Sequence, residues 1–382
     1  MYGKNMSKIN TKKTQRPKGL PFSDTILDRL RKQCEIGLPE ISEMKFLQTS
    51  SQTKFSTNRY QCSTLFQQEL DLLKKRPYLV SFSDQVRNPG DFISGKFLDR
   101  EWLVLRNENK NLRLYRNSCL HRGTRLVSRG KTGSVRKIVC PYHSWTYDLD
   151  GDLLTKGCET IQEKLYSFPV LEKAGLIFSG FTENVLDSLS SLWEEWKVYE
   201  LDSYVPFAIQ SEEGAYNWKI GVEIFLESYH ISTVHKNSVA PVVEKNVSIL
   251  DSIGEHARIL IPNRSYKNTS RPTRKDLIIT YFLFPSTILI LFRDHFGIIQ
   301  FQPISPDRTF CLRAILIPEK PKSSRTMRFW EENREFFFRT TSEDLGLAPE
   351  IQTGALQNEW IQPSSFEPGI FHFHNSLANA LI

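Results

Sequence analysis

Two short clusters in this chain combine residue types that bind metal. Cys119-Leu-His121 and Cys140-Pro-Tyr-His143 hold two of its six cysteines and two of its eight histidines. Each offers one thiolate and one imidazole. Farther along, Glu227-x-x-His230-x4-His235 places two imidazoles near a carboxylate. Thiolates and imidazoles suit zinc or iron; imidazoles with carboxylates suit iron held with open coordination positions.

Zinc would accept the first set, but C-x-H followed by C-x-x-H does not pair the cysteines as zinc fingers do. Two thiolates and two imidazoles on two loops suit a Rieske [2Fe–2S] centre, in which two cysteines hold one iron and two histidines the other. The flanking stretches, CLHRG and CPYHSWTYDLDGDL, put Gly, Pro and aromatic residues where loops must fold tightly around a buried cluster. Structural zinc and four unrelated residues are the alternatives. The other cysteines, at 34, 62, 158 and 311, lack metal-like neighbours and read as small buried hydrophobes.

This stretch resembles the Rieske non-heme iron oxygenases. The resemblance implies that Cys119 and Cys140 bind one iron and that His121 and His143 bind the other. Ser144 stands where that family has glycine. Respiratory-chain Rieske proteins carry an extra cysteine in each loop, where this chain has Thr124 and Tyr142. An electron carrier would also leave the C-terminal half unexplained.

That half resembles the family's mononuclear-iron motif, beginning Asn217-Trp218-Lys219. By the resemblance His230 and His235 are two arms of a 2-His-1-carboxylate triad. SEDLGLAPEIQTGAL supplies Asp344 as the third, with Glu343 its rival and Gln352 and Gly354 in register. Glu227 is implied to bridge His230 to a cluster histidine of a neighbouring subunit, and Glu223 is a supporting candidate. On an ideal helix Glu227 and His230 share a face. His235 lies about 140° off it, so the helix must distort or end near 231–234.

The elements that must position these residues form an α+β chain. Helices are expected at Ser63–Leu73, 186–198, 217–230 and Met327–Leu345. YLVSF, DFISGKF, EWLVLR and NLRLYR read as strands separated by turn residues. Leu277–Phe292 reads as two buried strands turning at Pro285-Ser286, and is too short to span a bilayer. The expected division is a basic tail (1–21), a helical segment packing on the catalytic domain (22–75), an all-β Rieske domain (76–180) and a catalytic domain with an antiparallel sheet flanked by helices (181–382).

Composition excludes other classes. The chain is 40% hydrophobic and 24% charged, as ordinary globular proteins are. Its net charge of +7 lies partly in residues 1–20, which hold six basic residues and no acid. The remainder is near neutral, which argues against nucleic acid as a partner. No membrane partner is expected, and cysteine usage suggests a reducing, cytoplasmic compartment. Trp145, Trp218, His256, His372 and His374 read as packing residues, and His295 could line a pocket.

The resemblance further implies an oxygenase using O2 to hydroxylate or demethylate a small molecule, a quaternary ammonium compound or an aromatic acid. Its electrons would come from NAD(P)H through a separate ferredoxin or flavin reductase, since no G-x-G-x-x-G fingerprint occurs here. A homotrimer is expected. The competing class is a Rieske electron carrier with a degenerate second site.

Overall fold

The structure, a computed structural model, describes residues 20–36, 54–155, 163–182, 185–269, 272–364 and 366–382. The basic tail, apart from its end, and Cys158 lie outside these residues. The first elements are helix α1 (Asp24–Ile36), strand β1 (Phe55–Ser56) and helix α2 (Ser63–Lys74).

Short strands follow, where β-branched and aromatic runs alternate with turn residues. They are β2 (Tyr78–Phe82), β3 (Asp91–Phe97), β4 (Arg100–Arg106), β5 (Leu112–Arg116), β6 (Thr132–Ser134), β7 (Ile138–Val139), β8 (Thr146–Tyr147), β9 (Val170–Lys173) and β10 (Leu176–Ser179). They form antiparallel sheets ordered β5-β4-β3-β6, β2-β10-β9 and β7-β8. The four strands expected here are β2 to β5. Cys119 and Cys140 lie in a small core of their own with Tyr115, Tyr147 and Leu149.

The second half begins with helix α3 (Ser190–Lys197), strand β11 (Val205–Gly214), helix α4 (Trp218–Ile224) and the single turn α5 (Ile231–Val234). Strands β12 (Ile249–Ile253), β13 (His256–Pro262), β14 (Leu277–Leu283), β15 (Thr287–Leu291), β16 (Phe296–Ser305) and β17 (Arg308–Ile317) follow. The chain closes with α6 (Ser324–Leu345), α7 (Ala348–Gln357), β18 (Trp360–Ile361) and α8 (Pro368–Ala380). Strands β11 to β17 form one antiparallel sheet ordered β11-β17-β16-β15-β14-β13-β12.

Both faces of this sheet are covered, so β14 and β15 read as a nearly continuous apolar run. Leu277, Ile279, Tyr281 and Leu283 join a core with Leu30 of α1 and Trp196 of α3. Phe282 and Phe284 join the opposite core with Trp218 of α4, Phe337 of α6 and Phe373 of α8. The N-terminal segment serves both cores: α1 the first, and Phe66, Leu72 and Leu73 of α2 the second.

One expectation needs correction. The helix expected over 217–230 ends at Ile224, and residues 225–230 form an irregular turn before α5. The break precedes the β-branched run instead of falling within it. The cause is Glu227, whose side chain accepts the backbone N–H groups of Tyr229 and His230. Such local capping competes with helix continuation.

Candidate metal centres

The two cysteine–histidine loops close in the same way. The N–H of Cys119 donates to the carbonyl of Thr124, and the Cys119 carbonyl accepts from Gly123 N–H at 2.9 Å. The N–H of Cys140 donates to the carbonyl of Trp145, and the Cys140 carbonyl accepts from Ser144 N–H at 3.1 Å. Gly123 and Ser144 occupy equivalent places, with φ of +74° and +58°. The turn that glycine makes freely is therefore kept by serine, at a conformational cost of about 1–2 kcal/mol.

Cys119 and Cys140 are buried, each 3% exposed, whereas His121 and His143 are exposed. The two imidazole rings lie 4.8 Å apart, and Trp145 stacks on His121. The Tyr147 hydroxyl is 3.2 Å from Cys119 Sγ and accepts the Leu120 N–H at 3.1 Å. Burial, then the Cys119 contact, pushes the Tyr147 pKa well above its ordinary value. Tyr147 stays protonated and can donate to a thiolate, a hydrogen bond of the kind that tunes cluster potential. Buried sulfurs with exposed imidazoles fit a two-iron cluster whose histidine edge faces outward.

His230, His235 and Asp344 bring one ligand atom each to within 4.8 Å of one another. Asp344 Oδ1 lies 3.3 Å from His230 Nε2 and 2.7 Å from His235 Nε2. The opposite ring nitrogens are engaged. His230 Nδ1 pairs with Glu227, and His235 Nδ1 with Glu343 Oε2 at 2.8 Å. In neutral rings those Nδ1 atoms carry the protons, which leaves two Nε2 lone pairs and a buried carboxylate oxygen facing one point. Three acceptors converging without a donor demand a cation, so the donor set fits a metal ion. A proton would otherwise serve as that cation: burial opposes protonation of His230, but Asp344 and Glu227 outweigh it and push its pKa up to about 10. Burial likewise acts against ionised Asp344, but the two imidazoles prevail and its pKa falls.

Glu343 therefore stands behind His235 and not at the convergence point; Ser238 Oγ also donates to it at 3.0 Å. The sequence signal for this second role was the requirement that a ligating imidazole have its other N–H fixed. Gln352 accepts the N–H of Asn217 at 2.8 Å, and Asn217 caps α4 through the Lys219 N–H.

The other candidates take structural places. Glu223 accepts from Tyr60 and from His374 Nε2 at 2.9 Å, and Arg59 donates to His374 Nδ1. Trp218 Nε1 and Lys219 Nζ donate to Glu69, in an ion pair with no exposure at either side chain. His256 accepts from Phe284 N–H, and His372 meets the carbonyl of Glu255. His295 packs on Phe292 and Trp330. Trp330 precedes Asp344 by 14 positions on α6, about 21 Å along the helix, so His295 packs far from the triad. Cys34 and Cys311 are buried and Cys62 is half-buried.

Two families match adjoining parts of the chain: the Rieske [2Fe-2S] domain over residues 76–168 and the ring hydroxylating alpha subunit catalytic domain over residues 193–381. A carnitine monooxygenase oxygenase subunit from Acinetobacter baumannii is 30% identical over 193 residues, covering 46% of this chain and 51% of the relative. The chain thus spans about half the length of that relative. Putrescine 2-hydroxylase from Ralstonia nicotianae is 25% identical, covering 85% of this chain and 94% of the relative. Among solved structures, the quaternary ammonium Rieske monooxygenase CntA with L-carnitine aligns with a TM-score of 0.72 at 23% identity, covering 86% of this chain and 94% of that one.

Proposed function

Since the chain belongs to the Rieske non-heme iron oxygenases, joining a Rieske [2Fe–2S] domain to a ring-hydroxylating alpha-subunit catalytic domain, we propose that it is a terminal oxygenase component. It uses O2 and reductase-borne electrons to hydroxylate or oxidatively demethylate a small organic cation. The observation that carries the reading is the convergence of His230, His235 and Asp344 on one point. A pure electron carrier has no use for three such ligand atoms aimed at one point.

In this reading Cys119 and Cys140 hold one iron of the cluster, His121 and His143 the other, and His230, His235 and Asp344 hold the mononuclear iron. The cluster supplies one-electron storage and the mononuclear iron supplies O2 activation. The chain's own residues orient these groups. Glu227 holds the Nδ1 proton of His230, and a further lone pair of its carboxylate would accept from a cluster histidine of a neighbouring subunit in a homotrimer. Glu343 and Ser238 hold His235, and Gln352 anchors the helix that leads to both histidines. Electrons originate from NAD(P)H on a separate ferredoxin or flavin reductase.

The substrate class follows from charge. Glu227, Glu343 and Asp344 stand around the site, and Glu367 lies near enough to Glu227 and His230 to sense both. Carboxylates gathered around a partly buried site favour cations. The relatives named above act on carnitine, on putrescine and on quaternary ammonium compounds, all small aliphatic ammonium compounds.

Iron content and a substrate panel test this. The purified protein should hold about three iron atoms per chain, where a carrier would hold about two. With a surrogate reductase, O2 consumption coupled to product should appear with carnitine, choline, glycine betaine or putrescine. Product from benzoate-type acids alone would overturn the substrate class, and two iron atoms without turnover would overturn the oxygenase reading.

A further inference from the structure

Arg313 alternates with Cys311 and Ile315 on the face of β17 that packs against α4 and α6. It is a charged residue in an apolar row, and only 3% exposed. Its guanidinium reaches the last turns of α6. Nη1 lies 3.2 Å from the Phe338 carbonyl oxygen, 2.8 Å from Thr341 Oγ1 and 2.9 Å from Ser342 Oγ, so its two N–H groups are shared among three acceptors. Nη2 pairs with Glu212 of β11 at 2.8 Å. The Nε is buried without a hydrogen-bond partner among the described residues. An apolar side chain of similar volume would fill this place without that cost, since a buried ion pair is weak evidence of added stability. Thr341 and Ser342 stand three and two positions before Asp344, and α6 ends one residue beyond it. Helix ends fray unless something holds them.

We infer that Arg313 is a positioning residue: it fixes the rotation of the end of α6, and so decides that Asp344 and not Glu343 meets the metal. The inference rests on the reading of His230, His235 and Asp344 as an iron site, and adds to it the group that aims the third ligand. Successive residues on a helix differ in bearing by about 100°. One such step of rotation would put Glu343 where Asp344 stands. The hydroxyls that Arg313 grips lie on one flank of α6, and Asp344 projects about 110° round from their midpoint. Holding that flank sets both carboxylates at once, Asp344 against His235 Nε2 and Glu343 against His235 Nδ1. Phe337 also anchors α6, its ring 2.2 Å from where a Cβ on Gly297 of β16 would stand. It lies seven positions from Asp344, about 10 Å along the axis. Arg313 grips the helix nearer its ligand end.

The test uses the full-length protein with its cluster in place. Mononuclear iron is removed by chelation without oxygen and ferrous iron is titrated back. Metal analysis counts the bound iron while absorbance follows the cluster. Arg313→Met removes every bond to α6. Arg258→Met is the control: Arg258 is also buried on this sheet, but it faces the opposite core beside Phe22 and pairs with Glu195 and Asp251. Both variants should melt below wild type. Only Arg313→Met should also bind ferrous iron more weakly, by about tenfold, well below its melting temperature and with cluster absorbance unchanged. Thr341→Val/Ser342→Ala keeps Arg313, deletes two of its acceptors and should weaken iron binding in the same direction. Wild-type affinity in folded Arg313→Met, or equal losses in both arginine variants, would overturn the inference and leave Arg313 a strut. Where Arg313→Met does not fold, wild-type affinity in Thr341→Val/Ser342→Ala overturns it. A wild-type protein that takes up no iron beyond its cluster would instead sink the iron-site reading beneath it.

Discussion

Each imidazole of the His230–His235–Asp344 set is held from behind by its own carboxylate, and this fixes which nitrogen faces the convergence point. Asp344 and Glu343 are adjacent in sequence, yet only Asp344 Oδ1 meets both Nε2 atoms. Asp344→Ala should therefore abolish mononuclear iron while the Rieske spectrum persists. Glu343→Gln should keep the site but weaken iron binding about 10–100-fold, as loss of an orienting partner does. Iron titrations followed by metal analysis decide; the reverse outcome would exchange the two roles. Ser144 offers a second check at this scale. It holds φ +58° where its counterpart Gly123 holds +74°. Ser144→Gly should leave the cluster spectrum unchanged and raise stability by about 1 kcal/mol, offset in part by the added freedom of the unfolded chain. A bleached cluster would mean that the serine hydroxyl has a role beyond the turn.

At the scale of elements, α4 and α8 aim the ligand turn. Gly369 lies in the first turn of α8, and a Cβ built there would stand 2.0 Å from the carbonyl oxygen of Leu226. That carbonyl belongs to the turn carrying Glu227 and His230, and backbone cannot step aside as a flexible side chain can. Gly369→Ala should push α8 and the turn apart, lowering mononuclear iron occupancy with the Rieske spectrum intact. Full occupancy would show that the two elements are not coupled. The start of α4 is tied to α2 by the Lys219–Glu69 pair, which is wholly buried. Lys219→Met removes the cation from the buried Glu69 carboxyl and leaves it only the Trp218 Nε1 bond, which should cost about 3–5 kcal/mol. Chemical denaturation would measure it, and a loss under 1 kcal/mol would show that water or Trp218 compensates.

The whole molecule should respond to acid through histidines remote from the triad. Burial lowers the pKa values of His256, His372 and His374 below the ordinary 6.5. A depressed folded-state value means that the unfolded chain binds protons first as pH falls. These groups contribute stability that is present above about pH 6.5 and is lost as pH falls through their folded values. Unfolding free energy should decline from pH 7 to pH 5, and His256→Asn should flatten that slope; a rise on acidification would contradict the assignment. Assembly makes the second prediction at this scale. If Glu227 carries the connection between His230 and a neighbour's His121 or His143, Glu227→Gln should retain both metal centres and normal cluster reduction. Single-turnover reoxidation of the pre-reduced cluster by O2 with substrate should then collapse. Product formed at the wild-type rate, or full activity in a stable monomer, would remove Glu227 from the path.

What was legible in the sequence was whatever depends on local spacing. The Cys119–His121 and Cys140–His143 clusters, the strands β2 to β5, the hairpin of β14 and β15 and the helices α2 and α6 all follow from residue type and period along the chain. No such rule distinguished Asp344 from Glu343, because neighbours on a helix differ by a rotation whose meaning depends on what packs beside it. The helix break at Ile224 was also hidden, since the Glu227–His230 spacing suggested a helix continuing to 230 while the Glu227 side chain takes the N–H groups that a helix would need. The pairing of His374 with Glu223, separated by 151 positions, left no mark in either segment. Local spacing dictates which residues can bind, but long-range packing decides which atoms meet.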